Sequence, residues 1–169
     1  MQNFFQKLKG DSTPLPARST FKAAAFAWLG GFLAIAVVAG FGDFLSVALI
    51  LGSFGASCVL VFGYPDVPFS QPRNIVAGHF LSSAIGLGFL SAFGPQAWAM
   101  AAAVGTAIAV MMLTRTVHPP AGSNPVIVFL LQPSWLFLWF PTLAGALLLV
   151  AVAIIYNNTT RKTHYPKYW

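Results

Sequence analysis

Long apolar runs, interrupted by short clusters of glycine, proline and a few charges, dominate the chain. A helix needs roughly 20 apolar residues to cross the hydrocarbon core of a bilayer. Four segments, 23–41, 75–93, 97–113 and 135–156, are read as such spans. A fifth, 44–62, is long enough but holds Gly52, Ser53, Gly55 and Ser57 at its centre. A sixth apolar run, 125–131, is too short to cross alone and must be completed by the irregular stretch 114–124. The pattern predicts an all-α polytopic membrane protein with six membrane segments, of which the second and fifth are broken or re-entrant.

The two broken segments resemble each other. Leu51 to Phe62, "LGSFGASCVLVF", aligns without a gap on His118 to Phe129, "HPPAGSNPVIVF", so that Gly55 meets Gly122, Val59 meets Val126, Val61 meets Val128 and Phe62 meets Phe129. The preceding helices echo this with "AIAVV" at 34–38 and "AIAVM" at 107–111. The chain therefore reads as two units, 23–93 and 97–156, each a helix, a broken segment and a helix. Three crossings per unit make the units inverted with respect to one another, a known transporter architecture. Re-entrant breaks would instead give four spans, and both counts keep the termini on one side.

Composition agrees with this solvent. The chain is 57% hydrophobic and 7% charged, against roughly 25% charged residues in soluble domains. Residues 1–22 lack the short apolar core and cleavage site of a signal peptide and read as a cytosolic lead-in; 23–156 form a single transmembrane domain and 157–169 a basic tail. Nine Lys and Arg against three acids do not point to nucleic acid, because the basic residues gather at the ends and in the loops of one side. With six crossings and a cytoplasmic N-terminus all nine fall inside, in accord with the positive-inside rule. The expectation is an integral protein of a bacterial plasma membrane, with both termini cytoplasmic and the lipid bilayer as its first partner. Two stripes of small residues, Gly78-Ser82-Gly86 and Ala101-Gly105-Ala109, read as helix packing faces, and a homo-oligomer is a candidate assembly. Trp98, Trp135, Trp139, Tyr156 and Trp169 read as interfacial anchors.

Non-helical backbone at membrane depth is tolerated only when buried in protein or lining a wet cavity. Matched breaks in two repeats are the best sequence pointer to a substrate site. Ser53 or Ser57 is placed to cap the first short helix, and Ser123 or Asn124, followed by Pro125, the second. In inverted repeats both N-termini would face one small volume, and a helix N-terminus favours negative charge. None of the three acids (Asp11, Asp43, Asp66) lies in a predicted span, which argues against a cation pathway. The polar residues near the breaks are Arg73, His79, Arg115 and His118, with Ser53, Ser57, Ser123 and Asn124; of these, Arg73 and Arg115 serve equally as cytoplasmic anchors. An ionisable group inside a span, such as His79, is functional by default, and Ser83, one turn further along the same face, is its candidate partner. Proline forces the residue before it out of the helical region, so Pro119 and Pro120 hold His118 extended and aim it by the backbone. Proton-linked binding and a static hydrogen-bonding role both remain open for that histidine. No metal-ligand cluster or cofactor motif is visible, Cys58 has no adjacent base and reads as a packing residue, and no nucleophile is paired with a base, so an enzyme is not expected.

At "LGSFGAS" (51–57), "SQPRNIVAGH" (70–79) and "HPPAGSNP" (118–125) the chain resembles the HPP family of small integral membrane proteins, named for the tripeptide seen here as His118-Pro119-Pro120. The resemblance implies four transmembrane segments. It places Arg73, Asn74, Gly78, His79, His118, Pro119 and Pro120 at the family's motif positions. Plastid and cyanobacterial members are associated with nitrite transport. The expected function is thus a transporter or channel for a small inorganic monovalent anion, nitrite the first candidate, bound near the midplane between the two breaks. Arg73, His79, His118, Ser53, Ser57, Ser123 and Asn124 would form its pathway, with Gly55, Gly78, Pro119, Pro120 and Gly122 as structural motif positions. A membrane scaffold that carries no solute is the alternative.

Overall fold

Thr20 opens the first helix: its hydroxyl oxygen accepts from the Ala23 N–H at 3.2 Å, and α1 (Phe21–Leu45) follows. The structure is a computed structural model that describes Leu8 and residues 13–169. Ser46, in the left-handed region at φ 54°, closes α1, and residues 47–52 run without regular structure. The first short helix is α2 (Ser53–Cys58), continued by a π-helical turn over Val59–Gly63. Pro72, at the first helical position where a missing N–H costs nothing, starts α3 (Pro72–Phe93), and α4 (Ala97–Leu113) returns alongside it. A 3-10 turn over Pro119–Ser123 feeds α5 (Asn124–Leu131). Finally, short turns over Trp135–Leu138 and Trp139–Leu143 lead into α6 (Ala144–Thr160), with a non-helical break at Phe140 just before Pro141.

Every described regular element is helical. Three helices are long and apolar enough to cross a membrane: Phe21–Leu45, Pro72–Phe93 and Trp135–Thr160. Three shorter apolar helices accompany them: Ser53–Gly63, Ala97–Leu113 and Pro119–Leu131. Ala97–Leu113 is about 25 Å long at 1.5 Å per residue, somewhat less than the ~30 Å hydrocarbon core. The two broken segments each deliver a short helix preceded by irregular chain. Their bounds agree closely with the repeat: the offset that sets Leu51 on His118 carries 53–63 onto 120–130, and the second short helix occupies Pro119–Leu131.

Close approaches hold the bundle together. A Cβ on Gly30 would lie 2.4 Å from the Phe62 ring, so α1 must present a bare backbone there to receive Phe62 and Tyr156. The irregular segment after α1 lays the Leu49 carbonyl against Gly145, where a Cβ would sit 2.4 Å from that oxygen. Along α3, Gly78, Ser82 and Gly86 are all buried. A Cβ on Gly86 would meet Pro125 at 2.9 Å, and the Ser82 hydroxyl donates to the Ala121 carbonyl at 2.6 Å. This stripe packs as expected. The other does not: in α4 the buried face is Ala99, Ala103, Ala107 and Met111, whereas Ala101, Gly105 and Ala109 point outward. Small residues surround that helix on every side, so their spacing alone cannot say which row is covered.

The tail closes over the same face as the 63–74 loop. Asp66 pairs with Arg161 and with Lys167, the latter at 3.1 Å. The Tyr165 hydroxyl donates to the Ser70 carbonyl at 2.7 Å, the Lys167 N–H to Gln71 Oε1 at 2.7 Å, and the Tyr168 hydroxyl to Asn74 Oδ1 at 3.2 Å. Asn74 also donates to the Val117 carbonyl at 2.9 Å. Loop 63–74, the 114–118 turn and the tail thus share one end of the molecule. The start of α1 lies there too, its Phe26 carbonyl accepting from the Tyr156 hydroxyl at 2.8 Å.

Candidate functional site

The two short helices meet where they begin. Ser53, the first residue of α2, donates its hydroxyl to Asn124 Oδ1 at 2.8 Å, and Asn124 is the first residue of α5. Two histidines enter the same volume. His79 comes from the middle of α3, and His118 from the extended residue ahead of the prolines, at φ −133° and ψ 98°. Ser57, one turn into α2, stands between them. Its Oγ is 3.0 Å from His79 Nε2 and 2.8 Å from His118 Nε2, and the imidazole centroids lie 4.9 Å apart. Ser57, His79, His118 and Asn124 have no solvent exposure.

The partners fix the hydrogens of the neutral cluster. His118 Nδ1 lies 2.7 Å from the Phe69 carbonyl, which can only accept, so Nδ1 carries the proton. His118 Nε2 is then an acceptor and takes the Ser57 O–H. Having spent its one hydrogen, Ser57 must accept from His79 Nε2–H, which leaves His79 Nδ1 to accept from the Asn124 amide at 3.1 Å. The same amide nitrogen donates to Ser83 Oγ at 2.9 Å, and Ser83 lies 3.2 Å from the Thr142 hydroxyl. One consistent direction therefore runs from Asn124 through His79, Ser57 and His118 to the Phe69 carbonyl. Among the described residues, the buried side-chain nitrogen or oxygen left without a partner is Arg161 Nη1, far from this cluster. A buried polar group left unpaired costs about 1–3 kcal/mol, so the satisfied network favours this one arrangement.

Glycine makes room for it. A Cβ on Gly78 would lie 2.8 Å from His118 Cβ and 3.1 Å from the Thr116 carbonyl. Phe54 closes the other side, its ring 5.1 Å from that of His79 in an edge-to-face contact.

Of the residues singled out from sequence, the structure brings together Ser53, Ser57, His79, His118 and Asn124. Arg73 is elsewhere: it is exposed, and its guanidinium donates to the Thr114 carbonyl at 3.3 Å. Arg115 is exposed at a left-handed φ of 57° just after α4. Ser123 is exposed and donates to the Pro120 carbonyl at 2.8 Å. None of the expected side-chain caps forms, because α2 starts at Ser53 itself and the 3-10 turn ahead of α5 already supplies backbone partners. Ser83 reaches His79 only through Asn124. Gly55 and Gly122 have nothing within 4 Å of an added Cβ, so packing does not require glycine at either. Thr142 and Phe69 were missed; each joins through contacts at least 49 positions apart in sequence, which no local motif encodes.

A family profile, the HPP transmembrane region, matches residues 16–166. The chain belongs to the HPP transmembrane family. The tripeptide that names HPP proteins has a visible structural role here: His118 is extended and buried, while Pro119 and Pro120 begin the 3-10 turn that leads to Asn124. Two relatives are transmembrane proteins of Dictyostelium discoideum, each 34% identical, over 98% and 95% of this chain and 57% and 60% of their own lengths. The chain thus spans less than two thirds of these curated relatives. No solved structure matches it significantly. It is an integral membrane protein.

Proposed function

We propose that this protein moves a small monovalent anion across the membrane, with nitrite the first solute to test. The observation that carries the reading is the meeting of the two breaks: Ser53 and Ser57 of one and His118 and Asn124 of the other surround His79 in a buried polar cluster. Matched breaks in paired repeats are where transporters of this construction bind their solutes. The cluster's ionisable groups are imidazoles, and among the described residues no carboxylate joins it: Asp43 is at the end of α1 and Asp66 pairs with Arg161 and Lys167. That chemistry suits an anion. In this reading six segments form two inverted units, α2 and α5 with their irregular leads being the broken crossings. Because the cluster is sealed, a solute reaches it only when one short helix moves. Purified protein in liposomes should take up nitrite faster than protein-free vesicles; equal rates with correctly folded protein would reject the proposal.

The second reading, a scaffold that carries no solute, is favoured by the outward row of Ala101, Gly105 and Ala109, a surface suited to close helix contact. Cross-linking that shows stable assembly, together with absent uptake, would select it.

A further inference from the structure

We propose that the His79–Ser57–His118 triad takes up one proton with each anion, making transport an electroneutral proton–anion symport. The inference rests on the anion-transport reading above. Its basis is a second place for the Ser57 hydrogen. Besides His118 Nε2, the hydroxyl lies 3.2 Å from the Ser53 carbonyl, one turn back on α2.

In the neutral cluster the Ser57 O–H donates to His118 Nε2 and accepts from His79 Nε2–H. A proton added at His118 Nε2 reverses one of these bonds. His118 then donates to Ser57 through Nε2 and to the Phe69 carbonyl through Nδ1, while the Ser57 O–H swings to the Ser53 carbonyl. Ser57 Oγ now accepts from both imidazoles. Every donor and acceptor of the triad stays paired in both protonation states, and nothing moves except one hydroxyl hydrogen. The same proton can sit on His79 only by displacing the Asn124 amide from Nδ1, so His118 is the acceptor and His79 the fixed donor that backs the serine.

Among the described residues, the added charge has no counter-charge beside it. The groups that face His118 are His79 and Gly78 from α3, Ser57 from α2, the Phe69 carbonyl from the 68–70 turn, and Thr116. His79 is faced by Phe54 and Ser57 from α2 and by Asn124 from α5. Among the described residues, the remaining charged or titratable groups are directed elsewhere: Arg73 to Thr114, Asp66 to Arg161 and Lys167, Tyr156 to the Phe26 carbonyl, Tyr165 to the Ser70 carbonyl, Tyr168 to Asn74 and Cys58 to Gly31, while the others are exposed. A lone buried charge is costly, so the imidazolium persists only with an anion beside it. Proton and anion then enter together on one side and leave together on the other, with no net charge moved.

The test uses the full chain in liposomes, with nitrite as solute, a trapped pH dye, and the protein-free rate subtracted. An acid exterior should accelerate uptake, one proton should enter per nitrite, and a potassium–valinomycin potential of either sign should leave the rate unchanged. Uptake that follows the potential and carries no protons overturns the symport while leaving anion transport intact; no uptake above protein-free vesicles overturns both. Ser57→Ala, checked for a monodisperse elution profile, should cut coupled uptake by about tenfold or more, the worth of a hydrogen bond to a charged group. Ser57→Thr, which keeps the hydroxyl, should retain the one-to-one ratio. A well-folded Ser57→Ala protein that still carries one proton per nitrite at full rate removes the serine from the mechanism and overturns the proposed switch.

Discussion

Ser57 has one hydrogen and two imidazole neighbours, and that shortage gives the candidate site its directionality. Removing a partner should therefore be felt in function before it is felt in folding. His118→Ala leaves Ser57 and the Phe69 carbonyl without their shared partner, and should lower nitrite uptake by about tenfold or more while the protein still extracts as a folded species. Liposome uptake beside a gel-filtration profile checks this, and unchanged uptake would take His118 out of the pathway. Gly78→Ala probes the same ring from behind. Its new methyl would sit 2.8 Å from His118 Cβ, so His118 must shift. Uptake should fall even though both histidines remain.

At the scale of the element, bare backbone matters only where another backbone or a ring comes close. Gly145 faces the Leu49 carbonyl and Gly122 faces open space. Gly145→Ala should destabilise the protein by about 1–3 kcal/mol through overpacking, and Gly122→Ala should leave stability nearly unchanged. Thermal unfolding in one detergent compares the two; equal midpoints would show that the irregular segment does not press on α6. The same distinction shows what could be read from the chain beforehand. Long apolar runs gave three of the four expected spans, Ala97–Leu113 being shorter than a full crossing, and the repeat located both short helices to within about two residues, because each registers as a local pattern. Ser123 was misjudged as a cap since a capping rule looks only a few residues ahead and cannot register that the Pro119–Ser123 turn has already used the available partners. Thr142 could not be found at all: its link to Ser83 spans 59 positions, and Pro141 beside it marks a break without naming a partner.

For the whole molecule, the feature that sequence did not reveal is the tail. Expected only as a basic cytosolic tail, it grips the turn that supports the site. Two successive carbonyls of that turn are held in order, Phe69 by His118 at 2.7 Å and Ser70 by Tyr165 at 2.7 Å, and the Lys167 N–H binds Gln71 Oε1 beside them. Truncation after Thr160 should therefore lower uptake while circular dichroism shows the same helix content. The clamp should also depend on pH through Asp66. Partial burial pushes that carboxyl upward, but the hydrogen bonds and charges of Lys167 and Arg161 outweigh it and hold the pKa below the ordinary carboxylate range. A carboxyl lowered in the folded state adds stability above its unfolded value, about 4, and loses it as pH falls through the folded value. Exchange of the Lys167 amide, corrected for intrinsic rate, should rise across that window, and Asp66→Asn should abolish the step. Since Asp66 is about half exposed, salt should weaken the clamp as well.

The clamp also sets an order of events during synthesis. Phe69 and Ser70 leave the ribosome some hundred residues before Tyr165, which bonds the carbonyl next to the histidine's own acceptor. Until translation has passed Tyr165, the spans can be inserted and packed while His118 leans on a turn held from within its own loop, by Ser70 on the Tyr64 carbonyl and Gln71 on the Pro65 and Val67 carbonyls. Assembly of the bundle and completion of its centre are thus separate moments in the life of the chain, and the second waits for a residue 95 positions beyond the turn.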